Sequence, residues 1–355
     1  MSLKIKDQVV VEYIPEEGIT DIIIPDGVKA IGPRVFFRHD EVTSVSIPDS
    51  CTSIGDGAFM MMRGLKHVNI PATLTHLGKE AFAMCPIPEY EIPRGITEIP
   101  EGAFDGTMAV KSIVIPSWVK MIGEKAFSAC RGAKTITIEE GVEKICRRAF
   151  NGMPMLEELN IPSSVKEIEE YAFDGSSAPK RAVIEGSVKT LWKECFCGCQ
   201  GIEEITLKEG IEEIGVRAFA YAAHLRTVRL PDTLKKIDSR AFSGCENLRR
   251  LEIPEGVTEL EDAVFYACKG LKELILPSTL RKIGRDVFYG CENLTQVVIP
   301  EGITEIPQSA FENCFALKKI VLPKSIRSVG VMAFYRCGCK PQVDASVKIG
   351  EFALD

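Results

Sequence analysis

The chain has 355 residues, 45% of them apolar, which is enough to bury a large core. Lys and Arg number 43 against 50 Asp and Glu, and the net charge of −7 argues against a general affinity for nucleic acid or anionic membranes. No stretch approaches the roughly 18 apolar residues that a membrane helix needs, so no membrane insertion is expected.

The opening stretch, MSLKIKDQVVVEYIPEEG, sets charges at Lys4, Lys6 and Asp7 beside a single apolar run, Val9-Val10-Val11, and is not a signal peptide. As written the chain reads as cytoplasmic, and a cell-surface or secreted location requires that a leader has been removed.

From residue 19 onward one phrase returns. Phenylalanine occurs at 36, 59, 82 and 104 and then every 23 residues to 334, with one interval of 22 between Phe82 and Phe104. A fixed period in this range marks a solenoid, whose units bury their apolar faces only by stacking on one another. Aligned on that Phe, a unit reads L-x-x-I-x-I-P-x-G/S-V-x-x-I-G-x-x-A-F-x-x-C-x-x. Leu248, Leu251 and Ile253 show the spacing of a short strand with one face inward. Pro254, like the proline that follows the strand in most units, has no N–H to donate and starts a turn.

A second extended piece follows, as in Val257–Leu260. The segment around the Phe, with Phe and the next Leu six apart, predicts a short helical or irregular return. Glycine after the second strand (Gly32, Gly55, Gly78, Gly123, Gly215, Gly284, Gly330) suits a tight corner. At about 4.8 Å per coil, fourteen coils stack to roughly 65–70 Å.

This pattern resembles the leucine-rich-repeat family, and within it the bacterial BspA-type subgroup. The resemblance covers about residues 19–339 as fourteen repeats. It implies a curved, right-handed coil of parallel strands. Residues 1–18 look like a strand cap on the first coil, and 340–355 like a partial repeat that covers the last. BspA-type relatives look like adhesion and host-matrix-binding modules, so the resemblance implies binding to a host or envelope protein.

Eight of the 13 cysteines stand three residues after the column Phe (Cys85, Cys130, Cys199, Cys245, Cys268, Cys291, Cys314, Cys337). A small, weakly polar thiol is a normal core filler, and the unbroken run from Cys245 to Cys337 cannot pair completely, so free thiols are expected. Cys195, Cys197 and Cys199 form C-x-C-x-C, but two of the three hold ordinary repeat positions, and no second pair at zinc spacing is legible. No metal or other cofactor is expected.

Four histidines and no phosphate-binding, zinc-protease or nucleophile-elbow motif leave no catalytic constellation to name, so no enzyme is expected. What remains is surface. Strand positions that point away from the core stand in ladders 23 residues apart. The densest basic patch is Arg226, Arg229, Arg249, Arg250 and Lys272, in three consecutive coils. Tyr266 and Tyr289 share the position after the column Phe and should stack. Trp118, in the turn after Pro116, is expected to be exposed. The expected function is a non-enzymatic scaffold that binds a protein, ahead of a glycan, with an intracellular assembly scaffold as the alternative and an enzyme last.

Overall fold

The computed structural model describes residues 2–177, 180–185 and 187–355. The chain divides into two compact units, Met1–Val165 and Lys166–Asp355, and each is a parallel β-solenoid.

Most coils contribute two short strands, one to each of two sheets. In the second unit, Arg250–Glu252 pairs in parallel with Glu273–Ile275, and Glu259–Leu260 with Lys282–Ile283. In the first, Ser112–Ile115 pairs with Thr135–Ile138, and Met121–Ile122 with Lys144–Ile145. Every one of these partners lies 23 residues on, so the sequence period is the register. Alternation then decides burial: along Arg250–Glu252 the pattern is exposed, buried, exposed, with Leu251 inward.

The core is a column of phenylalanine. Phe36, Phe59, Phe82, Phe104 and Phe127 in the first unit are fully buried. Their ring centroids lie 5.1–5.7 Å apart and nearly parallel. In the second unit the column from Phe196 to Phe334 continues at 5.0–5.8 Å, with Phe288 and Phe311 tilted by 30° and the other pairs within 15° of parallel. Offset stacking of this kind adds about 0.5–1.5 kcal/mol per pair to the burial itself.

No described residue is helical, so the returns take the irregular option. The residues two before and two after the column Phe have positive φ in all fourteen returns, for example Arg240 (58°) and Gly244 (74°) around Phe242. The N–H groups of Arg240, Phe242 and Gly244 donate forward to Asp262, Val264 and Tyr266 of the next coil. Donors spent between coils are not available for i→i−4 bonds, which is why a helical spacing gives no helix.

The glycines after the second strand are not corners either. Gly78 has an ordinary φ, but a Cβ there would lie 2.4 Å from the backbone of Gly55 and Asp56 in the coil below. Close approach, not a turn, selects glycine.

At the start, Ser2–Lys6 and Val9–Ile14 form an antiparallel hairpin, whose second strand pairs with Ala30–Ile31. Near the end, Lys348–Ile349 adds to Ser328–Val329.

Candidate functional site

The outward positions of the first sheet in the second unit carry the basic patch. Register places Thr227 beside Arg250 and Arg250 beside Glu273, and in the neighbouring column Thr206 beside Arg229. Leu225, Val228, Leu248 and Leu251 point inward and anchor these strands, so all five cations face solvent. A groove of about 630 Å³ opens here, and Arg226, Arg229, Arg249 and Arg250 line it with Asp232, Glu252 and Pro254. Lys272 stands one coil further on, its N–H bonded to the Arg249 carbonyl.

The cations differ in how far they are already neutralised. Arg226 pairs with Glu203 at 3.3 Å and Arg250 with Glu273 at 3.6 Å. Arg229, Arg249 and Lys272 have no carboxylate within 4 Å among the described residues. Exposed pairs contribute little to stability, so the paired arginines remain recruitable by a partner's carboxylates.

Sequence reasoning missed what adjoins the patch. Along the ladder that runs Val183, Thr206, Arg229 and Glu252, the next outward residues are Ile275, Val298 and Val321, exposed at 37%, 64% and 41%. Three exposed β-branched side chains on consecutive strands make an apolar stripe beside the basic groove. The signal was present in the sequence, as aliphatic residues in three consecutive coils at a position that most other coils fill with Ser, Thr, Arg, Glu or Asn and that Ile23, Val114 and Val183 fill singly.

The two aromatic candidates fare differently. Tyr266 and Tyr289 stack at 4.7 Å and 4° on the return side. Trp118, expected to be exposed, is half-buried: its indole N–H donates to the Pro93 carbonyl at 3.0 Å, and Arg94 lies 5.4 Å from its ring. A ring held by the preceding turn and covered by a guanidinium is fastened to its own scaffold, so Trp118 is no longer a free anchor.

The column cysteines are free thiols buried in the core, except Cys337, which is half-buried. Burial pushes Cys85, Cys130 and Cys268 up to about 12, and Cys197 likewise. A thiol that stays protonated is neither nucleophile nor ligand at neutral pH. Among the described residues no group of three or more His, Cys, Asp or Glu is placed to hold a metal ion. No described helix is long and apolar enough to cross a membrane.

Two parallel sheets, a phenylalanine column and irregular returns define a leucine-rich-repeat solenoid. The family model for the BspA type leucine rich repeat region matches residues 16–108, 97–226 and 212–340, and the chain belongs to that family. No curated protein sequence matches it. Among solved structures, a leucine-rich repeat protein from Bacteroides ovatus superposes with a TM-score of 0.81 at 23% identity, over 96% of this chain and 94% of its own. One from Eubacterium ventriosum gives 0.55 at 23% identity, over 95% and 90%. A leucine rich cell surface protein from Faecalibacterium prausnitzii gives 0.51 at 25% identity, over 91% and 92%.

Proposed function

We propose that this chain is a non-enzymatic binding scaffold whose outward sheet face in the second unit docks an acidic protein surface. The observation that carries the reading is the groove across two consecutive strands, with four arginines in its wall and two of them, Arg229 and Arg249, without a carboxylate partner. The stripe Ile275, Val298 and Val321 offers apolar area beside it. Charge there steers and orients a partner, and the apolar stripe holds it. The likeness to a leucine rich cell surface protein supports an adhesion-type role, in which the partner belongs to a host or an envelope.

The test is a pull-down with the full chain followed by affinity measurement. Changing Arg229→Glu and Arg249→Glu breaks no internal ion pair and leaves the core untouched. Binding should weaken at least about tenfold, and wild-type affinity should fall with salt as screening shortens to about 8 Å at 0.15 M. If instead Tyr266→Ala with Tyr289→Ala abolishes binding while the charge reversal changes neither affinity nor salt dependence, the site is on the return side and the sheet reading is wrong.

A further inference from the structure

The repeat has one short coil, between Phe82 and Phe104, and it lies beside a second groove. Other coils place two residues between the cysteine position and the next inward residue, as Glu246-Asn247 before Leu248; here Pro86 alone precedes Ile87. Ile87 is still fully buried, but no strand forms over 89–92, and the sheet that ends at His67–Val68 is replaced by another beginning at Ser112–Ile115.

On the return side of the first unit a groove of about 720 Å³ crosses these coils. Small residues, Gly106, Ser128 and Ala129, line it; Gly106 follows Met84 in its column, and Ser128 stands between Asp105 and Asn151 in its own. Its walls are Met84 and Met108, exposed at 43% and 56%, with Pro86 between them. Unbranched, polarizable methionines on a surface adapt to an inserted apolar group. The rim is basic: Arg63, Lys125, Arg131 and Arg148 stand against one lining carboxyl, Asp105. Neither the Arg63 nor the Arg131 guanidinium forms an ion pair among the described residues, although the Asp40 carboxylate accepts the Arg63 backbone N–H at 2.8 Å.

We propose that this groove receives an acidic protein segment that presents a bulky apolar side chain, seated between Met84 and Met108, with flanking carboxylates on Arg63 and Arg131. The geometry sets the spacing. Arg63, Pro86, Met108 and Arg131 hold the same position in successive coils, so the two arginines lie three coils apart, about 15 Å at about 4.8 Å per coil. An extended chain covers that distance in four or five residues at roughly 3.4 Å each. The segment therefore carries two acidic residues four or five positions apart with the apolar residue between them. An open trough with cations at both ends suits an extended chain, and its charge selects an acidic one.

A displayed random-heptapeptide library panned on the full chain, and on a variant carrying Arg63→Glu and Arg131→Glu, tests this. Both arginines are exposed, so the variant keeps the wild-type thermal midpoint. The result expected is enrichment of peptides with that acid–apolar–acid spacing on the wild type, at least a tenfold weaker binding of those peptides to the variant, and to a second variant, Met108→Glu. In methionine-methyl NMR the same peptides shift Met84 and Met108 together. Absence of that pattern overturns the proposal, as does equal binding to both variants or a shift confined to other methionines. Enriched peptides that depend on Arg229 and Arg249 also overturn it, while supporting the sheet-face reading.

Discussion

The carbonyl of each column phenylalanine explains the cysteine column. It accepts the N–H three residues on, as Cys245 N to Phe242 O at 3.1 Å, and it also accepts the thiol of the next coil, as Cys268 Sγ to the same oxygen at 3.1 Å. All eight column cysteines donate in this way, each to the Phe 26 residues before it. Where the column holds Thr107, its hydroxyl donates to Phe104 O at 2.9 Å and meets Cys130 Sγ at 3.1 Å. Periodicity shows which residues share a column, and so made the buried filler legible; it does not show which carbonyl they touch. The same burial predicts an alkaline limit. An unfolded thiol loses its proton near pH 9, and Cys85, Cys130 and Cys268 lose theirs at about 12 in the fold. Between those values the native state holds more protons than the unfolded one, so stability is complete below pH 9 and declines as pH rises towards 12. The urea midpoint should be level from pH 7 to 8.5 and fall above 9. Replacing Cys245, Cys268 and Cys291 by Ala should flatten that fall, and an unchanged slope would show that other groups cause it.

The return is the element the sequence concealed. Its two positive-φ sites hold Gly, Asn or Asp in a minority of cases and otherwise Arg, Glu, Lys, Tyr, Met, Ala and Ser, residue types that do not announce a left-handed conformation. Each such residue costs about 1–2 kcal/mol, against a net of about 1 kcal/mol for each hydrogen bond it allows to the next coil. Stacking thus imposes a conformation that local preference opposes. The strands were legible because their alternation and register are written in the sequence as apolar period and repeat length, and the same ladders made the basic patch legible. Glycine was only half legible, since two different constraints select it. Gly78→Ala drives a Cβ into the backbone of the coil below, where nothing flexible can yield, and should destabilise by about 3 kcal/mol. Gly175→Ala, at φ 64° with open space around the added atom, should cost only about 1 kcal/mol. Chemical denaturation of the two variants separates these roles; equal losses would mean that close packing at Gly78 is not what excludes a side chain.

Across the whole molecule, coil covers coil, and over the first coil the covering ring is that of Tyr13. Its ring lies 5.3 Å from Phe36, at the distance one column Phe keeps from the next, and Val9 and Val10 pair with Ala30 and Ile31 where a preceding coil would. The charged opening stretch suggested a strand cap only by resemblance, because a lone Tyr in a non-repeating segment carries no period. This cover is imperfect: among the described residues the buried Tyr13 hydroxyl has no hydrogen-bond partner. Leaving such a group unpaired costs about 1–3 kcal/mol, so Tyr13→Phe should stabilise the first coils by about 1 kcal/mol. Tyr13→Ala removes the ring that covers Phe36 and should destabilise them by about 3 kcal/mol. Because each coil contacts only its neighbours, the effect should be local. Amide exchange should quicken over Ala30–Ile31 and the Phe36 return in Tyr13→Ala, slow there in Tyr13→Phe, and stay unchanged over Ser112–Ile115, four coils further along. Equal acceleration at Ser112–Ile115 would show that the first unit opens as one body and that the terminal hairpin does not act as a local cover.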